Sequence, residues 1–314
     1  MRLGKSDEYD NRKPKSFKMK HLIFIDTNIF LDFYRQRKTD LALSQLRHIE
    51  QNIGEIITGN EVEMEFKKNR QKIIQETLKT AKTMSAGEYA PPVFLSESKA
   101  AEKIINSIKH VNTRIKEFEK RAQRVIEAPS RYDRVWKVLQ KLFRDENPMN
   151  LNREKKDRFR IRKLALKRFI LGYPPRKDKD ISIGDSYNWE WIVECARKRN
   201  RGVVIVSRDS DYGVKSGDSF IVNDWLKKEF SERVSARQKL ILTNSLSEGF
   251  KLASIVNVDQ SEIEKDKQAI SIEQTDDEMR LKKLIENLQG VADLSAYIST
   301  KIQPPAGPVK EPEK

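Results

Sequence analysis

Two short runs without a single polar residue, Leu22-Ile23-Phe24-Ile25 and Val203-Val204-Ile205-Val206, each stop at a group of acids and small polar residues. After the first come Asp26, Thr27 and Asn28; after the second come Ser207, Arg208, Asp209, Ser210 and Asp211. A strand with one wet face alternates apolar and polar residues. One that is apolar throughout suits burial on both faces, as in a parallel sheet covered by helices. Ligands of such sheets collect beyond the carboxyl ends of the strands, which is where both acid groups would fall. Taken alone, Asp26 has a second reading, as the N-cap of the helix that follows.

The chain between the two runs bears on that choice. Glu55-Ile56-Ile57-Thr58 reads as a second strand, and Asn60 opens a helix on which positions 62, 65, 66 and 69 share a face. Val62 and Phe66 then carry Glu65 toward the interior, while Glu61 and Glu63 face water. A later helix starts at Asp185, with Asp185, Trp189, Ile192 and Ala196 on its core side; Gly202 ends it. Ser219 to Val222 reads as a fourth strand, with Asp224 capping a small helix. This strand–helix alternation predicts a right-handed, doubly wound parallel sheet, an α/β/α sandwich of three layers. Its strand edge can receive Asp26, Glu65, Asp185 and Asp209 (or Asp211) from separate segments.

Carboxylates gathered in one pocket repel and raise one another's pKa values, a cost that a divalent cation removes. The three histidines, His21, His48 and His110, are widely separated, and Cys195 is the only cysteine. Disulfides within the chain and multi-cysteine zinc sites are excluded, and Cys195 reads as a packing residue. Hard oxygen ligands alone select Mg²⁺ or Mn²⁺, one ion or two, which orient a phosphodiester and activate water. The net charge of +15 points the same way, toward an anionic partner, nucleic acid first.

Residues 1–19 read as a disordered basic lead-in, 20–253 as the folded domain, and 254–314 as an acidic, largely disordered extension suited to a protein partner, with a helix at 279–288. Within the domain, about 85–170 reads as a long helical insertion, with one apolar stripe over Ile104, Ile108, Val111, Ile115 and Phe118. Its last helix is densely basic from Arg153 to Arg168. Arg158, Arg162 and Arg168, with Arg176, Lys177 and Lys179 in the next loop, are the candidate contacts to a nucleic-acid backbone. Tyr173, Tyr187 and Trp191 are candidates to stack on bases, with an ordinary packing role as the alternative. No run reaches the length of a membrane helix and no signal peptide is evident, so a soluble, cytoplasmic protein is expected.

Ile25-Asp26-Thr27-Asn28, Glu65, Gly184-Asp185 and Ser207-Arg208-Asp209-Ser210-Asp211-Tyr212 resemble the motifs of a PIN-domain nuclease. The block from Leu171-Gly172-Tyr173-Pro174-Pro175 to Asp185-Ser186-Tyr187-Asn188-Trp189 looks like the larger bacterial PIN-like group that carries a helical insertion. The resemblance covers about 20–253, less much of 85–150. It implies a PIN-like fold with a central parallel sheet and Mg²⁺- or Mn²⁺-dependent endonuclease activity, with RNA as the favoured substrate. Asp26, Glu65, Asp185 and Asp209 match the metal-binding acids, Asp211 a further acid of varying role, and Asn28 and Ser207 the polar positions that orient the first carboxylate. Tyr212 departs from the family's usual Phe. A DNA or flap-structured substrate, and a scaffold that binds nucleic acid or protein without cutting, stand as alternatives. Toxin, defence and RNA-maturation roles are all left open.

Overall fold

A computed structural model of the chain describes residues 20–35, 39–82, 87, 89–176, 182–217 and 219–272. β1 (Leu22–Ile25) leads into α1 (Thr27–Asp32) and α2 (Thr39–Gln51), and β2 (Ile56–Gly59) into α3 (Asn60–Lys82). Next come α4 (Lys99–Glu127), α5 (Pro129–Tyr132), α6 (Arg134–Arg144) and the two-residue β3 (Asn150–Leu151). α7 (Asp157–Ile170) and α8 (Gly184–Arg199) precede β4 (Val203–Val206). The hairpin of β5 (Gly213–Ser216) and β6 (Ser219–Val222) is followed by α9 (Asp224–Arg233), β7 (Leu240–Thr243) and α10 (Leu246–Leu252).

β3, β2, β1, β4 and β7 form, in that order, one wholly parallel sheet flanked by helices, the three-layer α/β/α arrangement. Every residue of β1, β2 and β4 is buried, as two covered faces require. Two strand expectations are corrected. Ser219–Val222 is not the fourth parallel strand: β6 pairs antiparallel with β5 in a separate two-stranded sheet, and its Ile221 is exposed. The strand beside β4 is β7, in register from Val203–Leu240 to Val206–Thr243. Asn223, rather than Asp224, caps α9, its Oδ1 accepting from Trp225 N at 3.0 Å and Leu226 N at 3.4 Å.

The stretch expected as an insertion is helical, but it returns to the sheet: β3 pairs with β2, and Trp191 Nε1 on α8 donates to both Thr58 O and Met149 O at 3.0 Å. α6 buries Val138, Leu139, Leu142 and Phe143 in the core. The stripe expected on α4 divides, since Ile104, Val111 and Phe118 are exposed while Ile108 and Ile115 are partly covered. A buried pair, Arg70 Nη2 to Asp133 Oδ2 at 2.6 Å, joins α3 to the start of α6, and Tyr34 Oη donates to the same carboxylate oxygen at 2.7 Å.

The body does not end at 254. Val258 and Ile263 are buried in the core, and Glu262 accepts from Ser44 Oγ (2.9 Å) and Ser247 Oγ (3.1 Å). Contacts divide the chain after Ile263, and residues 264–272 of the second unit are helical. The lead-in expected at 1–19 and the helix expected at 279–288 lie outside the described residues. Among those described, no helix is long and apolar enough to cross a membrane.

Candidate active site

The register of the central strands sets Asp26 beside Ser207: Ile25 pairs with Val206, and Asp26 N donates to Val206 O at 2.9 Å. β2 and β3 extend the sheet on one side of β1, and β4 and β7 extend it on the other. At such a reversal the helices leave in opposite directions and a crevice opens at the carboxyl ends of the strands.

Asp26 is 4% exposed. Its Oδ1 accepts from Thr27 N at 2.7 Å, and its Oδ2 accepts from Asn28 Nδ2 at 3.0 Å and from Ser207 Oγ. The first of these bonds makes Asp26 the N-cap of α1, so both sequence readings describe one side chain. Ser207 Oγ also accepts from Asp209 N at 3.0 Å, and Arg208 pairs with Asp32 on α1 at 2.9 Å. Asn28 and Ser207 therefore both hold the Asp26 carboxylate by hydrogen bonds to the same oxygen. Thr27, to which the sequence reading gave no role, donates through Oγ1 to Glu65 Oε2 at 2.9 Å and links the first acid to the second.

Asp26, Glu65, Asp185 and Asp209 line one cleft of about 240 Å³, with Asn28, Glu61, Met64, Lys68, Asn69, Ser182 and Gly184. Asp185 reaches it from the first turn of α8 and Asp209 from the loop after β4. Asp211 does not line the cleft; it stands on the turn Ser210–Tyr212, where its charge acts on the buried Tyr212 hydroxyl. Glu61 corrects an expectation. It is half-buried on the cleft wall, one helical turn from Glu65, while Glu63 pairs outward with Lys67. The 61, 65, 68, 69 spacing on α3 carried that signal: all four lie on one helical face.

Burial is the largest influence on the Asp26 carboxyl and pushes it up. The Ser207 hydrogen bond opposes this, the charges of Asp209 and Glu65 add to it, and the result is about 7. Burial also raises Glu61, which Arg162 partly offsets. The Tyr212 hydroxyl is driven far above its ordinary range by burial and then by Asp26, Asp185, Asp209 and Asp211, so it feels four acids at once.

A hard divalent cation suits this donor set, which is all oxygen, and the buried Asn28 Oδ1 has no hydrogen-bond partner among the described residues. As the side chains stand, no three His, Cys, Asp or Glu residues among those described are gathered closely enough to hold a metal ion. Asp26 and Glu65 sit on hydrogen-bond donors, and joint coordination would exchange some of those bonds.

Of the expected backbone contacts, Arg162 is exposed with its charge felt by Glu61, and Arg158 lies over the Phe159 ring at 4.5 Å. Arg176 is exposed in the loop after α7. Arg168 is corrected: it is 4% exposed and spends its donors on Glu190, Glu229 and the Pro174 carbonyl, tying α7 to α8 and α9. Lys177 and Lys179 lie outside the described residues. Tyr187 and Trp191 are buried, leaving Tyr173 as the exposed aromatic of the three. Cys195 is buried on α8, a packing position as expected, and burial pushes its thiol up. A larger hollow of about 510 Å³ opens beside α4 and α5, lined by Glu117, Lys120, Arg121, Arg124, Val125 and Tyr132; none of the strand-end acids reaches it.

A family model described as PIN domain matches residues 23–160 and 161–212. No match was found among curated proteins or among solved structures.

Proposed function

The chain belongs to the PIN-domain family, a nuclease-type fold that is generally metal-dependent, and from that premise we propose that it is a Mg²⁺- or Mn²⁺-dependent endonuclease hydrolysing phosphodiester bonds, in RNA by preference. The observation that carries the reading is the meeting of Asp26, Glu65, Asp185 and Asp209 in one cleft at the switch point of the sheet. A purely structural site has no use for a buried carboxyl such as that of Asp26, already raised by burial, set where the charges of Asp209 and Glu65 push it higher still.

The bound cation would supply a Lewis acid for the phosphate and a lowered pKa for the attacking water. The chain's own residues supply position. Asp26 is held by three donors, so its free lone pairs point in fixed directions. Glu65 is steadied by Thr27, and Asp209 by the Ser207 turn. Lys68 on the cleft wall, with Arg158 and Arg162 beside Glu61 and Tyr187, offers cations to the phosphates flanking the scissile bond.

The test compares wild type with Asp185→Asn on labelled single-stranded RNA, duplex RNA and DNA in Mn²⁺. Wild type is expected to cut the RNA single strand. Since even outer partners of a metal site cost roughly 10- to 100-fold, loss of a direct ligand should cost roughly 100-fold or more. Equal cleavage by both proteins would remove Asp185 from the site. Binding without cleavage by either would leave a nucleic-acid scaffold in place of a nuclease.

A further inference from the structure

Resting on the nuclease reading above, we propose that the exposed Tyr173–Trp225 ring pair is a stacking platform for an unpaired base of the strand whose backbone enters the acidic cleft. The rings are stacked with centroids 5.2 Å apart and planes 29° from parallel. They nevertheless remain 40% and 44% exposed, whereas Trp189 and Trp191 are buried. Core packing therefore accounts for the latter two tryptophans and not for this pair.

The platform is already built. Gly172, at φ 72°, turns the chain after α7, and Tyr173 N donates to Arg168 O at 3.1 Å. The buried Arg168 holds the Pro174 carbonyl, and Arg176 Nη1 donates to Phe169 O at 3.0 Å. A ring fixed in this way loses little conformational freedom on binding. One cation stands beside it, Lys228, whose Nζ lies 5.8 Å from the Trp225 centroid, and Arg176, three residues after Tyr173 in the same loop, covers the Phe169 ring at 4.5 Å. Aromatic faces bordered by cations suit a base and its phosphates, because every base has a π face and every linkage a negative charge.

The topology sets this platform at the same sheet edge as the cleft. α8 and α9 each lead into a parallel strand, so each begins at the carboxyl edge. Trp189 and Glu229, each five residues past the start of its helix, are joined by Nε1 to Oε2 at 3.2 Å, so the two helices run side by side in register. Asp185 and Trp225, each the second residue of its helix, then stand at the starts of neighbouring helices on that edge. A base stacked there belongs to a nucleotide close to the scissile bond. Bases inside a duplex are already stacked on one another, so the platform selects for single strands.

The experiment uses the full chain in EDTA, so that binding is read without cleavage, and a short single-stranded RNA with 2-aminopurine placed at successive positions. The control is a hairpin duplex of the same composition. Wild type should quench the fluorescence at one position. Trp225→Ala should lose that quenching and weaken single-strand binding roughly 5- to 100-fold, the worth of one stacked base. Duplex binding should be unchanged, and Trp225→Phe should retain most of the effect. Single-strand binding by Trp225→Ala equal to wild type overturns the proposal, as does an equal loss for single strand and duplex. Binding of neither RNA by wild type also overturns it. Adding Mn²⁺ separates the two readings. Cleavage by wild type with Trp225→Ala unaltered removes the platform alone, whereas Trp225-dependent quenching without any cleavage removes the nuclease alone.

Discussion

Replacing Asp26 by Asn should stabilise the metal-free protein at alkaline pH, although it removes a side chain with three hydrogen bonds. The folded carboxyl titrates at about 7 against an ordinary value of 3.8. A pKa raised on folding means that the native state holds its proton more tightly than the unfolded chain. That contribution is complete below about pH 4 and is lost as pH rises through 7. At 1.36 kcal/mol per unit, the ionised group costs the fold about 4 kcal/mol at pH 8 and about 2 kcal/mol at pH 5. Asn carries no charge to bury, and its Oδ1 still accepts from Thr27 N. Its amide nitrogen meets a donor in Asn28 Nδ2, however, while the Ser207 hydroxyl can turn to accept. Spoiling that one bond returns about 1–2 kcal/mol. The net expectation is a gain of about 2 kcal/mol at pH 8 and almost none at pH 5, read by urea denaturation in EDTA at both pH values. Equal stability of the two proteins at pH 8, or a gain that does not depend on pH, would refute the electrostatic account of the site.

Arg70→Met leaves the buried Asp133 carboxylate and the Tyr34 hydroxyl without their cation, and should cost about 3–5 kcal/mol in the same assay. Adding Asp133→Leu should recover part of that loss, and no recovery would argue that Arg70 acts through its packing on Trp136. Gly202→Ala would put a Cβ 2.5 Å from both His21 Nδ1 and Lys239 O, beside the Val203 N to Lys239 O bond that starts the β4–β7 ladder. A loss of about 1–3 kcal/mol on melting is expected, and an unchanged melt would mean the backbone yields there freely. If Lys68, Arg158, Arg162, Arg176 and Lys228 are the phosphate contacts, log Kd for a single strand should rise with log salt at a slope of roughly 3.5, and one near 10 would implicate cations elsewhere.

The strands at the centre of the sheet were legible because burial on both faces leaves no polar residue in β1 or β4. β6 misled because a four-residue run cannot show in sequence which strand it pairs with, and β7 passed unremarked because its polar end, Thr243, and its half-covered Leu240 blur the same signal. The acids were legible for a related reason: Asp26 and Asp209 follow a buried strand, Asp185 opens a helix and Glu65 lies in the second turn of one, so the sheet edge that receives one receives the others. Glu61 escaped because helical spacing places 61 and 65 on one face, but only the approach of Gly184 and Tyr187 from α8 decides that this face borders the cleft rather than water. Thr27 escaped because its partner, Glu65, is distant in sequence.

The cations of α7 show most sharply where sequence runs out. Arg162 and Arg168 sit on one helix in equally basic surroundings, and only the spacing of Arg168 from the buried Ile161 and Ala165 separates them. Arg168 faces α8 and α9, where Glu190 and Glu229 wait, and its guanidinium becomes an internal clasp that also fixes the loop carrying Tyr173. Arg162 faces the cleft wall and lends its charge to Glu61. Density of charge along a helix thus reports how basic the element is, while the partner helices decide which charges remain for a ligand. The same division holds across the chain: Arg70, Arg201 and Arg233 are each committed to a carboxylate within the fold. Each such pair is neutral and adds nothing to the net charge of +15, which therefore resides on other cations; on the proposed reading, stacked bases add to the phosphates that those cations neutralise.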